Sequence, residues 1–95
     1  MSAFIVFTRE RLRDKAEFAI YSGMARSTRS GHPSEVQVAY GKCETLEGAP
    51  IEGAFIIKFE SMAAAKAWYE SPAYREARQH RFKSADYRAF ITESI

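Results

Sequence analysis

A chain of 95 residues with 46% hydrophobic and 14% aromatic content makes one domain, 1–95, and excludes disorder. Its formal net charge of +2 is too small for the clustered like charge that nucleic-acid or membrane binding needs, so neither partner is expected. The single cysteine, Cys43, rules out an intramolecular disulfide and makes a reducing, cytoplasmic setting the expectation.

Met1 leads into a short apolar run with no basic stretch before it and no cleavage pattern after it, so no signal peptide is expected. No apolar segment approaches the roughly 20 residues of a membrane span. The chain has no asparagine, which removes N-glycosylation. A domain this small buries only about 60–70% of the surface its unfolded chain exposes, so association would help to stabilise it.

In chain order, Ala3–Thr8 (AFIVFT) is β-branched and aromatic and reads as a strand. Arg9–Asp14 is dense in charge and reads as a solvated connection. Asp14 caps a helix to about Ser27, in which Phe18, Tyr21 and Ala25 recur at helical spacing. Residues 30–34 form a loop. Val36–Tyr40 alternates as a half-buried strand, with a bulge at Gly41 and pairing on to Thr45. Residues 46–53 form a hairpin-like connection, and Ala54–Phe59 is the third strand. Ser61 caps a helix over Met62–Tyr69. Ser71 and Pro72 then start another, to about Phe82. Arg88–Glu93 is the last strand.

The order β-α-β-β-α-β, with its second helix split in two, predicts a ferredoxin-like α+β fold: a four-stranded antiparallel sheet with helices on one face. Helices cover one face only, whereas the first and third strands are apolar on both. Ile5, Phe7 and Ile56 are expected on the bare face, where a second copy of the chain is the simplest cover, giving a homodimer through the sheet faces. The chain's own loops are the alternative cover.

No strong catalytic motif is present. Gly41, Gly48 and Gly53 surround a hairpin and do not open a helix, which argues against a phosphate loop. His32, His80 and Cys43 are too few and too scattered to predict a metal site, and Cys43 is expected buried in a strand. His32, in a loop, is the candidate proton-handling residue, against a plain surface role. Lys58 would need an anionic partner if it faced a cavity, or would reach to the rim. Trp68 and Tyr69 are core packing or pocket walls. The basic run from Arg75 to Arg88 is read as a solvated face. RNA binding is disfavoured: Glu52–Phe59 keeps only Gly53, Ile57 and Phe59 of the eight-residue RNA signature, and its stacking positions fall on Ala54 and Ile56.

The stretch Ala67-Trp68-Tyr69-x-Ser71-Pro72-x-Tyr74 resembles the A-W-Y-x-S-P-x-Y of the DUF1330 family, small proteins of the dimeric α/β-barrel superfamily. Phe59-x-Ser61 is similar to their F-P-S, with Glu60 in place of proline. Asp14, Phe18 and Tyr21 follow their D-P-x-x-Y-x-x-Y, and Leu46-Glu47-Gly48 their L-E-G. His32 falls on their loop histidine, Gly41 on a strand glycine, and Arg81 on an arginine at the end of the helix. The chain departs from H-G-G-R-Y, reading His32-Pro33-Ser34-Glu35-Val36, and from R-G-G, reading Ala39-Tyr40-Gly41. Lys58 stands where a carboxylic side chain is usual.

The resemblance implies a dimer of ferredoxin-like protomers and leaves the activity open. It singles out Arg81 as an anion clamp and raises His32 as a catalytic candidate. Tyr40, Lys58, Trp68 and Tyr69 complete the candidate ligand-binding set, with no cofactor and no metal expected. The expectation is a small-molecule-binding protein or cofactor-independent enzyme acting on a hydrophobic or anionic molecule between sheet and helices. A non-catalytic structural or interaction dimer is the alternative.

Overall fold

A short polar side chain opens each helix of this protein, and those caps fix the whole chain path. The computed structural model describes residues 1–95. Its elements are β1 (Ala3–Leu12), α1 (Lys15–Ser27), β2 (Ser34–Ala39), β3 (Gly53–Phe59), α2 (Met62–Tyr69), α3 (Pro72–Ser84) and β4 (Ala85–Glu93). The Asp14 carboxylate accepts from the Glu17 amide at 3.1 Å, Ser61 Oγ from Ala64 at 3.0 Å, and Ser71 Oγ from Tyr74 at 3.3 Å. Each satisfies a donor the helix cannot pair internally, worth about 1 kcal/mol. Pro72 sits at the first helical position, where its missing N–H costs nothing.

The four strands form one antiparallel sheet in the order β2-β3-β1-β4. With the helices this is the ferredoxin-like α+β fold. Ile5 stands opposite Ile57 on one side and Ile91 on the other, and Phe7 opposite Phe55 and Ala89. Ala3, Ile5, Phe7, Ile57 and Phe59 are buried, together with Tyr21, Ala65, Trp68, Tyr74 and Ala77 from the helices.

The register corrects the expected face assignment. Ile5 and Phe7 lie under the helices, and the uncovered face carries Phe4, Val6, Ile56, Lys58 and, on β4, Phe90. A central strand apolar on both faces carries no phase of its own. Pairing with Ile57 and Phe55 supplies it.

Several boundaries differ from the sequence reading, among them the start of β2 at Ser34 within the expected loop. β1 continues through the charged residues to Leu12, pairing Arg9 with Tyr87 and, past a bulge, Arg11 with Asp86. That pairing starts β4 at Ala85 instead of Arg88. β2 ends at Ala39, because Tyr40 takes a left-handed backbone conformation (φ 58°), and its bulge lies between Val36 and Val38 rather than at Gly41. Cys43 is accordingly exposed, on the loop over residues 41–52, and not within a strand. Gly53 lets the turned-back Tyr40 ring settle: a Cβ there would come within 3.3 Å of Tyr40 Cδ1.

Two polar contacts join α1 to α3 over the sheet. Tyr21 Oη and Tyr74 Oη share a buried hydrogen bond of 2.8 Å, and His80 Nδ1 lies 2.6 Å from a Glu17 carboxylate oxygen. Tyr21→Phe or Tyr74→Phe leaves one phenol buried without its partner. Each is expected to lower unfolding free energy by about 1–3 kcal/mol in urea melts. The double variant should cost clearly less than the sum, as a double-mutant cycle will show. Strict additivity would mean that the two hydroxyls do not act as a pair.

Candidate functional site

Position 81 falls on the buried stripe of α3, in phase with Tyr74, Ala77 and Ser84. A residue there must point at the sheet, and the residue is an arginine. Arg81 is 3% exposed. Its guanidinium lies 5.0 Å from the ring centres of Phe7, Phe82 and Tyr87, one from each of β1, α3 and β4. Nη2 donates to Tyr69 Oη across a long 3.4 Å, and Nε has no hydrogen-bond partner.

No carboxylate pairs with Arg81, and its neighbours show how unusual that is. Arg9 is held between the rings of Phe18 and Tyr40 and has Glu52 at 3.3 Å. Arg78 stacks on Tyr69 and has Glu70 at 3.5 Å. Buried charge is ordinarily paired. The aromatic faces offset part of the desolvation of Arg81, each contributing about 0.5–2 kcal/mol, but they leave its net charge in place.

Tyrosinate does not supply the missing negative charge. Burial pushes the Tyr21, Tyr74, Tyr40 and Tyr87 phenols above their ordinary range. They are neutral hydrogen-bonding groups near pH 7, paired as Tyr21–Tyr74 and, at 2.7 Å, as Tyr40–Tyr87. Arg81 forms the floor of an open depression of about 450 Å³, walled by Arg13, Tyr69, Phe82, Asp86, Tyr87 and Ala89. The Asp86 carboxylate is held by Arg13 Nε at 2.9 Å. What remains at the floor is a desolvated cation without an acid, with the phenol rings of Tyr69 and Tyr87 beside it. Chemically this can bind and polarise an anionic oxygen.

Of the candidates from sequence, Arg81 and Tyr69 meet here. Trp68 is 2% exposed and belongs to the core, though its edge reaches a second cavity that Tyr40 also lines. His32 lies in the turn before β2, with its amide donating to the Arg29 carbonyl at 2.9 Å, and it lines none of the cavities. Lys58 points from the uncovered face and borders a shallow depression with Pro33, Ser34, Glu35 and Glu60. β2 and β4 are opposite edges of the sheet, so His32 and Arg81 do not converge. No three His, Cys, Asp or Glu side chains cluster as metal ligands would. No helix is long and apolar enough to cross a membrane.

Sequence reasoning missed Tyr87, Tyr21 and Tyr74 as parts of this network. Tyr87 was lost with the late start assigned to β4. The Tyr74–Ala77–Arg81–Ser84 spacing was the available signal that Arg81 occupies a core position.

The fold and this floor of arginine and phenols define the class: a ferredoxin-like α+β domain with a basic, aromatic-walled depression between helices and sheet. The chain belongs to the DUF1330 family, described as a domain of unknown function, whose pattern matches residues 2–95. No curated protein matches the sequence. Among solved structures it is similar to a protein of unknown function from Rhodopseudomonas palustris (TM-score 0.73, 18% identity, covering 99% of this chain and 82% of that one). A dimeric ferredoxin-like protein of unknown function from Jannaschia sp. CCS1 matches with TM-score 0.73 and 12% identity, over 99% of this chain and 100% of that one. SnoaB, a cofactor-independent oxygenase from Streptomyces nogalater, matches with TM-score 0.67 and 7% identity, over 99% of this chain and 93% of that one. At these identities the likeness is one of fold.

The raised phenols have a consequence at alkaline pH. The folded chain keeps protons on Tyr21, Tyr40, Tyr74 and Tyr87 that the unfolded chain releases near the ordinary value of 10.0. Their contribution to stability is therefore complete below about pH 10 and falls as pH rises above it. Near-ultraviolet phenolate absorbance should show most of the signal appearing together with loss of structure by circular dichroism. Smooth ionisation of all the tyrosines in a chain that stays folded would contradict the burial.

Proposed function

We propose that this chain is a small-molecule-binding protein that works as a homodimer, each protomer holding an anionic ligand on Arg81. The observation that carries the reading is the buried, carboxylate-free guanidinium with its unpartnered Nε. A carboxylate, enolate or phenolate oxygen entering the depression would be drawn to that guanidinium and would neutralise its buried charge. Tyr69 and Tyr87 supply flat walls beside it, which suits a small ligand with an aromatic or otherwise apolar body. A cofactor-independent enzyme and a non-catalytic binding module share this step. The fold shared with a cofactor-independent oxygenase keeps the enzymatic form open.

The uncovered sheet face supports the homodimer. Phe4, Val6 and Ile56 stand there without helices above them, and Phe90 is 52% exposed. A second copy related by a two-fold axis would bury these side chains against their equivalents. The solved relative from Jannaschia is itself dimeric. A purely structural dimer is the second reading, favoured by the dense aromatic packing beneath the helices, where Trp68 and Tyr74 rings lie 4.0 Å apart.

Two measurements test these readings. Benzoate, titrated into the full chain, should shift the Arg81 Nε–H cross-peak in nitrogen-edited NMR. Arg81→Met should weaken benzoate binding by at least about tenfold. The same variant should keep or raise the urea midpoint of the ligand-free protein, because an apolar side chain replaces an unpaired buried charge. A variant that is clearly destabilised, with benzoate never touching the wild-type resonance, would assign Arg81 to structure alone. Separately, Ile56→Asp or Phe90→Asp should weaken self-association by at least about thirtyfold in sedimentation experiments. An unchanged dimer would place the interface elsewhere.

A further inference from the structure

The second cavity lies at the other side of the domain, where the end of α1 stands over β2 and β3. It encloses about 300 Å³. Tyr21, Ala25, Val36, Tyr40, Phe55 and Trp68 form most of its wall. The polar atoms these rings carry are already engaged away from it. Tyr21 Oη bonds Tyr74, Tyr40 Oη bonds Tyr87, and Trp68 Nε1 donates to Thr28 Oγ1 at 3.0 Å. The rings therefore present carbon to the cavity. Ser22 is the one aliphatic hydroxyl side chain on the lining.

Arg26 and Arg29 also line it, one on the last turn of α1 and one in the turn beyond it. Neither takes part in the chain's ion pairs, whose basic partners are Arg9, Arg13, Arg78 and His80. Arg26 is favourably placed at a helix C-terminus on its own account. Arg29 lies past the helix end. Two guanidiniums outside the chain's ion pairs, beside an aromatic-walled cavity, combine donors with a largely apolar surface.

We infer that this cavity is a second binding site, for an amphipathic aromatic monocarboxylate. The ring system would fill the aromatic wall and the carboxylate would be held by Arg26 and Arg29. Guanidinium and carboxylate match as paired donors and acceptors. Offset and edge-on stacking favours a flat body over a flexible chain. At protein packing density the space takes about a dozen non-hydrogen atoms, the size of two fused rings with one carboxylate. The site is independent of the one at Arg81: it shares no lining residue with that depression.

Trp68 is the only tryptophan, so its indole N–H gives one resonance at this cavity. The probe is 2-naphthoate, titrated into the full chain, with naphthalene-2-methanol as its uncharged counterpart and decanoate as a flexible acid. Naphthoate should shift the Trp68 resonance saturably, and more tightly than either comparison molecule. Arg26→Gln with Arg29→Gln, both near the surface and so without a cost to folding, should weaken naphthoate by about tenfold or more and bring it level with the alcohol. Arg81→Met should leave the naphthoate response of Trp68 intact, so failure of the Arg81 site and failure of this one are told apart. The inference is overturned by a resonance that no naphthoate concentration moves. It is equally overturned if the shift disappears in Arg81→Met, or survives undiminished in the double arginine variant. Tighter binding of decanoate would overturn the aromatic assignment.

Discussion

The indole of Trp68 is the contact on which the arrangement of all layers depends. Its ring meets Tyr74 at 4.0 Å, Phe59 at 5.5 Å, and Phe7 and Tyr69 at 6.4 Å. Its N–H donates to Thr28 Oγ1, and that hydroxyl in turn donates to the Ala25 carbonyl at 2.6 Å. One side chain thus joins β1, β3, α2, α3 and the end of α1. Burying a ring system of this size contributes roughly 4–6 kcal/mol, a large part of the net stability of a small domain. Trp68 also lines the cavity beside the end of α1, while the depression over Arg81 lies beyond its reach.

The arginines show how the same chemistry serves structure in one place and leaves something over in another. Arg9, Arg13 and Arg78 each reach a carboxylate, and Arg9 and Arg78 also lie on rings. Arg9 and Arg78 share with Arg81 a buried Nε without a hydrogen-bond partner, but their charge is matched by an acid, and they tie strand ends and helix turns together. Arg81 is more deeply buried, has more aromatic faces around it and lacks the acid. A fold under selection for stability alone would place an apolar residue there. Departures of this kind concentrate where proteins bind.

Much of the fold was legible because local chemistry announced it. Asp14, Ser61 and Ser71-Pro72 marked the helix starts, and the ferredoxin-like fold followed from the order of elements along the chain. What could not be read depended on partners distant in sequence. Arg9–Leu12 looked like a solvated connection because its side chains are charged, yet its backbone pairs with Ala85–Tyr87. The phase of β1 required Ile57 and Phe55. Within the site, the family resemblance alone pointed to Arg81, and its lack of a carboxylate is a three-dimensional fact that no spacing reports. Arg26 and Arg29 carried no signal at all, since a basic helix end is ordinary in any sequence.

The break at Ser71-Pro72 does more than end one helix and begin another. In an unbroken helix Trp68 and Tyr74, six positions apart, would point about 240° from each other around the axis. The two rings could not then meet. The interruption turns the chain so that the last turn of α2 and the first turn of α3 face each other across the bend, and the rings stack at 4.0 Å. The bend works as a corner joint. Its angle is held by the Ser71 Oγ bonds, one accepted from the Tyr74 amide and one donated to the Trp68 carbonyl at 2.7 Å. The direction in which α3 leaves that corner decides where Arg81, two turns on, meets the sheet.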